Sequence, residues 1–225
     1  MASQGIKYPV DIVMCIDATG SMSDLIEKVK ANALKFYEDL RNKMDEKGKI
    51  IDTLRVKVIV FRDYYADGDD AMKISSFFNL PADKEKFDHF VKVITAEGGG
   101  DEPESGLEAL ALAIESDWTK ESAKRRHIIV VWTDASTHQL EKKSSKPKNY
   151  PLNMAKDFNE LTDWWEGNDF VNNSAKRLVL FTPDAYPWTD IATHWTNVIN
   201  HVSPAGEGLS NVAYEEILDI IANSV

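Results

Sequence analysis

The strongest constraint on the fold is an apolar run over residues 10–16 that ends directly at Asp17. A run of this length, interrupted only by Asp11, is typical of a central parallel strand that is covered on both faces. A helical pattern begins within a few residues of the run, so Asp17 opens a connection from a strand to a helix. Open α/β sheets usually bind ligands at such connections.

Apolar runs with strand character alternate with helical patterns along the rest of the chain. This alternation predicts an α/β fold of three layers, doubly wound and Rossmann-like, with a mostly parallel central sheet and helices on both faces. The gap after the second strand is too short for a helix, so the third strand is expected to pair antiparallel at an edge. The predicted strands are residues 10–16, 55–61, 73–78, 128–133 and 176–181.

Helices are predicted wherever apolar residues recur at helical spacing. The first is a single helix whose apolar stripe runs from Leu25 to Leu40. Another is expected to begin at Asp101-Glu102-Pro103-Glu104, because acidic residues and an early proline are typical of a helix start. The remaining predicted helices are residues 84–94, 153–165, 190–199 and 214–222.

Length, charge and cysteine content narrow the class of protein. The 225 residues suit one domain, predicted over 8–225 with a tail at 1–7. The formal charge of −11 disfavours a nucleic-acid surface, and no apolar stretch is long enough to span a membrane. Cys15 is the single cysteine and lies inside an apolar run, so we expect a core residue. A cytoplasmic protein without nucleic-acid or membrane partners is the expectation.

Oxygen-bearing side chains follow the ends of several predicted strands. The carboxyl ends of parallel strands lie at one edge of the sheet, so these side chains are expected to lie at the same edge. Three of them alternate directly after the first strand, one follows the strand at 128–133, and one follows a glycine-rich loop. Carboxylates and hydroxyls without His or Cys favour a hard cation over zinc, Mg²⁺ first and Mn²⁺ or Ca²⁺ as alternatives. The candidate ligands are Asp17, Thr19, Ser21, Asp101 and Asp134.

Three motifs follow one another along the chain: Asp17-Ala18-Thr19-Gly20-Ser21, Gly98-Gly99-Gly100-Asp101-Glu102-Pro103-Glu104 and Trp132-Thr133-Asp134-Ala135. In this order they resemble the motifs of von Willebrand factor A domains, which carry a metal-ion-dependent adhesion site. Further detail, including Phe61-Arg62-Asp63-Tyr64, is similar to the A domains found beside alpha-kinases and in stand-alone bacterial proteins. The resemblance extends from about Tyr8 to the last predicted helix.

This resemblance implies a binding module without catalysis of its own. The cation would keep one coordination position open, and an Asp or Glu carboxylate of a partner protein would fill it. The family usually has a Thr in the glycine-rich loop, where this chain has Asp101. By the same resemblance, the partner would be a kinase, a phosphatase or an ATPase within a signalling or stress-response assembly.

Several of these assignments have a competing interpretation. The first motif also resembles the aspartyl-phosphate loop of haloacid-dehalogenase-type phosphotransferases, in which Asp17 would be the nucleophile. Asp101 and Glu104 would also suit a capping box at a helix start. His138 either lines the rim of the site or is a surface residue. The acidic loop over 63–70 is either a second cation site or solvated, and the lysine-rich stretch over 141–151 either contacts a partner or is a solvated insertion.

Overall fold

A central sheet of seven strands forms the middle layer of the computed structural model, which describes residues 6–98, 102–122, 124–140, 150–207, 209 and 212–225, with side chains from residue 8 onward. The main path of the sheet has the order β3-β2-β1-β5-β6-β7, and β4 also pairs with β2. The strands are β1 (Ile6–Asp17), β2 (Lys49–Phe61), β3 (Met72–Ile74), β4 (Phe78–Leu80), β5 (Arg126–Trp132), β6 (Lys176–Pro183) and β7 (Val198–Ser203).

The pairing pattern confirms the predicted fold class. Strands β1, β2, β5, β6 and β7 run parallel, and only β3 and β4 pair antiparallel with β2. The single edge strand predicted at residues 73–78 is therefore two short segments on the same edge. The helices are α1 (Ser23–Asn32), α2 (Phe36–Glu46), α3 (Lys84–Lys92), α4 (Gly106–Ile114), α5 (Phe158–Glu166), α6 (Trp188–His194) and α7 (Tyr214–Ser224).

Two apolar clusters, one on each face of the sheet, form the core. Strand β1 contributes to both because its alternate residues point to opposite faces. Ile12 and Met14 pack into the layer that contains α1, α2, α3 and α7, whereas Val13 and Cys15 pack into the layer of α4, α5 and α6. Cys15 is fully buried, as expected. Apolar residues on both faces explain why β1 occupies the middle of the sheet.

Four helix predictions were wrong in detail. Helix α4 begins at Gly106 instead of at residues 101–104, and α5 begins at Phe158 instead of at residue 153. The single helix expected from Leu25 to Leu40 is divided into α1 and α2 by a turn in which Ala33 and Lys35 keep near-helical dihedral angles. That backbone preserves the apolar spacing, so the break leaves no trace in the pattern. The helix expected at 190–199 ends at His194, and β7 follows after Asn197, which has a φ of 59°. Asn tolerates this left-handed conformation better than most residues.

None of the helices in the described part of the chain is long and apolar enough to cross a membrane.

Candidate metal-binding site

The loops after β1 and β5 meet at the carboxyl edge of the sheet, as the sequence predicts. Asp17 is the last residue of β1, and Ser21 lies in a short 3₁₀ turn over Gly20–Met22. Asp134 follows the end of β5 by two residues. The Ser21 hydroxyl donates a hydrogen bond to Oδ1 of Asp134 at 2.9 Å, which joins the two loops across the edge of two neighbouring strands.

Hydroxyl groups fix both oxygen atoms of the Asp17 carboxylate. Oδ1 accepts hydrogen bonds from the main-chain N–H of Thr19 at 2.9 Å and from its hydroxyl at 2.7 Å. Oδ2 accepts a hydrogen bond from the Thr133 hydroxyl at 2.6 Å. Thr133 also accepts the N–H of Ala135 at 3.1 Å. Sequence reasoning did not assign Thr133 to the site. Its hydroxyl nevertheless connects the Asp17 carboxylate, at the end of β1, to the main chain of Ala135, in the loop after β5.

The site concentrates negative charge away from water. Asp17 is fully buried and Asp134 is 1 % exposed. Burial raises the pKa of Asp17 to about 6; the hydrogen bonds from Thr133 and Thr19 oppose the rise, and the nearby charge of Asp134 adds to it. Carboxylates held close together in this way are electrostatically suited to a cation, which would remove the repulsion between them.

Glu104 adds a third acidic group that the sequence assigned only to a helix start. Helix α4 begins at Gly106 with Ser105 as its N-cap, so the capping-box interpretation of Glu104 was wrong. Its main chain instead pairs with the segment after Asp134, accepting the N–H of His138 at 2.9 Å. Oε2 of Glu104 is buried without a hydrogen-bond partner. Burial, with the nearby charges of Asp17 and several other carboxylates, raises the pKa of Glu104 to about 8.

Arg62, immediately after β2, connects the loops that surround this site. Its buried guanidinium donates only to main-chain carbonyl oxygens among the hydrogen bonds of the described residues. One of these is the carbonyl of Ala18, between Asp17 and Thr19. The four acceptors are Ala18 at 3.1 Å, Glu97 at 2.6 Å, Asp70 at 2.8 Å and Thr95 at 2.7 Å.

In the acidic loop after Arg62, some side chains lie at the rim of the site and others are exposed to solvent. Asp63 is buried, and its Oδ1 lies 3.0 Å from Nε2 of His138. The ring of His138 packs against Tyr65, with centroids 5.1 Å apart, which supports the interpretation of His138 as a rim residue. Asp69 and Asp70 are exposed, as the solvated-loop interpretation expected.

Two sequence-based assignments lie outside the described residues. Asp101 is one, so its assignment as a ligand stays a prediction, whereas its assignment as the cap of the following helix was wrong because Ser105 is the N-cap of α4. The lysine-rich segment is the other, since residues 141–149 lie outside the described ranges.

The chemistry of the described donors fits a hard divalent cation. All the donors are oxygen atoms, and the buried Oε2 of Glu104 has no hydrogen-bond partner. Within residues 6–98, 102–122, 124–140 and the later described ranges, no group of three or more His, Cys, Asp or Glu side chains could hold a metal ion. The hydroxyls of Thr19 and Ser21 would therefore be required. Ser21 is exposed, so the site opens to solvent.

Comparison with known proteins links the chain to a protein family. Residues 75–149 match the family model described as a von Willebrand factor A domain. The Dictyostelium discoideum protein named alpha-protein kinase vwkA is 30 % identical over 132 residues, a match that covers 59 % of this chain and 19 % of that protein. The chain therefore corresponds to about a fifth of the curated relative that it matches.

Solved structures share the fold at low sequence identity. A pilus adhesin, SpaC from Lactobacillus rhamnosus GG, is 12 % identical with a TM-score of 0.57, covering 98 % of this chain and 31 % of that one. Proximal thread matrix protein 1 from the mussel byssus, solved with a zinc-occupied MIDAS motif, is 12 % identical with a TM-score of 0.52, covering 98 % of this chain and 49 % of that one.

Proposed function

We propose that this chain is a protein-binding module that depends on a divalent cation, and the match of residues 75–149 to the von Willebrand factor A domain model supports the proposal. The observation that carries the proposal is the meeting of two strand-end loops, in which the exposed Ser21 hydroxyl lies 2.9 Å from the buried Asp134 carboxylate. Two loops from neighbouring parallel strands thus bring oxygen donors to one solvent-accessible point.

Each donor has a distinct part in this proposal. The hydroxyls of Thr19 and Ser21 and the carboxylates of Asp17 and Asp134 would hold the cation, with Mg²⁺ as the first choice and Mn²⁺ or Ca²⁺ as alternatives. Asp101 remains a proposed ligand. Glu104 would contribute negative charge near the site and is not counted among the ligands. Thr133 orients Asp17, because it donates to Oδ2 and leaves little freedom for the carboxylate to rotate. When bound, the cation would supply an open coordination position for a carboxylate oxygen.

The proposed partner is a protein that presents an Asp or Glu side chain to this edge of the sheet. Tyr65, which packs on His138, is 37 % exposed and would offer apolar contact beside the incoming carboxylate. The relative named as an alpha-protein kinase supports a setting beside a kinase, with a phosphatase or an ATPase as alternatives. We propose that the domain spans residues 8–225, is cytoplasmic and has no catalytic activity of its own.

Calorimetric titration of Mn²⁺ and Mg²⁺ into chelator-stripped protein tests the cation site. We expect about one equivalent to bind, and we expect Ser21→Ala and Asp17→Asn to weaken binding by at least tenfold, because each removes a proposed ligand or its charge. Asp24→Asn is the matched control, since Asp24 is an exposed carboxylate in the first turn of α1. Equal affinity in all four proteins would overturn the assignment of the site.

Partner capture tests the binding function separately. We expect capture from extract of the source cell to require Mg²⁺, to be lost in excess chelator and to be lost with Ser21→Ala. Capture that persists in chelator would contradict a cation-mediated contact, even if the cation binds.

A further inference from the structure

A cleft of about 440 Å³ lies at the carboxyl end of β7, and none of the described candidate cation ligands lines it. Residues of β7 line it together with Glu207 and Leu209, which follow the strand, and Glu216 in the first turn of α7. The rings of Phe181 and His201, which are paired across β6 and β7, line the cleft as a stacked pair with centroids 5.0 Å apart and an interplanar angle of 17°.

Two polar atoms of the cleft residues have unused hydrogen-bonding capacity. Nε2 of His201 and Oγ of Ser203 are both buried without a hydrogen-bond partner. Ser203 is 8 % exposed and lies two residues beyond His201 on the same strand, so both side chains point to the same face of the sheet. Buried polar groups in native proteins are almost always paired, so two such atoms in one cleft indicate a ligand or bound water.

The charge of the cleft selects the kind of ligand. Glu207 and Glu216 are exposed carboxylates at its wall, and none of the described residues that line it is Lys or Arg. Hydroxyl and carboxylate oxygens accept hydrogen bonds, and an imidazole nitrogen accepts one in one of its two tautomers, so the lining suits a donor-rich cation. A guanidinium carries five N–H donors and a flat face that packs on aromatic rings, whereas an ammonium is a compact point charge.

We infer that this cleft is a binding site for a guanidinium group, such as the side chain of an arginine. The guanidinium would donate to Ser203 and His201 and would lie near the carboxylates of Glu207 and Glu216. This site is separate from the proposed cation site and takes a ligand of the opposite charge from the carboxylate proposed there. A partner could therefore present an acidic residue to one site and a basic residue to the other.

A main-chain hydrogen bond links the cleft to the candidate cation site. The N–H of Gly206 donates to the carbonyl of Asp134 at 2.9 Å, and Gly206 immediately precedes Glu207, which lines the cleft. An occupant of the cleft would therefore contact the same segment that is bonded to the backbone of Asp134.

Titration of Nα-acetyl-arginine amide, monitored by NMR of the His201 imidazole, tests the inference. We expect saturable shifts at His201 and at least tenfold weaker binding of the citrulline counterpart, which keeps the shape and loses the charge. We expect Glu207→Gln and Glu216→Gln each to weaken binding about two- to fivefold, as exposed charge pairs do. Glu85→Gln on α3 is the matched control, because Glu85 is exposed and far along the chain from the cleft.

The titration is run in excess chelator, so its result does not depend on whether the cation site exists. Tighter binding of the blocked amino acid than of free arginine would indicate a protein side chain as the natural ligand, and the reverse would indicate a small guanidino compound. Equal binding of the citrulline compound, no saturable change at His201, or equal affinity in both cleft variants and the control would overturn the inference.

Discussion

Replacement of Arg62 by methionine is the sharpest perturbation of the framework around the candidate site. The guanidinium donates four hydrogen bonds of 2.6–3.1 Å to main-chain carbonyls of three separate loops. Met keeps most of the length of the side chain and removes every donor. Two of the acceptors, Thr95 and Glu97, belong to the segment that leads to the glycine-rich loop.

The expected cost follows from these contacts. A hydrogen bond from a charged donor contributes about 1.5–3 kcal/mol net, but the contributions of one side chain do not simply add. A cleft of about 210 Å³ beside Arg62 admits water, which would hydrate some of the freed carbonyls. We therefore expect Arg62→Met to lower the free energy of unfolding by about 3–5 kcal/mol, which is more than one such hydrogen bond contributes and less than the sum of four.

Urea denaturation followed by circular dichroism measures this loss. Arg41→Met is the matched control, because the Arg41 side chain is 60 % exposed and lies 4.0 Å from Asp45; we expect it to cost less than about 1 kcal/mol. Arg62→Lys keeps the charge but offers three donors for four carbonyls, so we expect an intermediate cost. A loss for Arg62→Met no larger than for Arg41→Met would refute the reasoning.

Three further predictions concern neighbouring residues and the chemistry of the site. Thr133→Val removes the hydroxyl that bonds Asp17 and Ala135, so we expect the free energy of unfolding in urea to fall by about 1–3 kcal/mol and Mn²⁺ binding in calorimetry to weaken. The control Thr193→Val, on the exposed face of α6, should have little effect on either quantity. Gly98 has a φ of +77°, and a Cβ there would overlap the Asp67 carboxylate. Gly98→Ala should therefore lower the free energy of unfolding by about 1–2 kcal/mol, measured as a lower thermal midpoint. Gly20→Ala, with open space around the added Cβ, should leave the midpoint unchanged. With p-nitrophenyl phosphate and Mg²⁺ we expect no turnover; turnover that disappears with Asp17→Asn would favour the phosphotransfer interpretation instead.

Local pattern was enough to predict the centre of the fold and the meeting of the first and last motifs. Strand β1 has apolar residues on both faces and β5 is almost wholly apolar, so both had to be central and parallel. Once the two strands are neighbours, the residues at their carboxyl ends must be close. The hydrogen bond between Ser21 and Asp134 is a direct consequence of that topology.

The features that sequence reasoning missed depend on contacts between distant segments. Arg62 was noted only as part of a motif, because its acceptors are main-chain carbonyls up to 44 positions away and main-chain groups leave no trace in a sequence pattern. Glu104 looks like any acidic residue at a helix start, and only the tertiary structure shows that it is buried beside other carboxylates. The edge strand β7 has a mixed burial pattern, so its alternation is weak.

Anomalous diffraction from crystals grown with Mn²⁺ tests the central claim most directly. The account predicts one strong peak at the carboxyl edge of the sheet, at about 2.0–2.6 Å from the Ser21 hydroxyl and from a carboxylate oxygen of Asp17 or Asp134. A peak only at exposed carboxylates such as Asp69, or no peak at saturating Mn²⁺, would contradict a cation-dependent site in this domain.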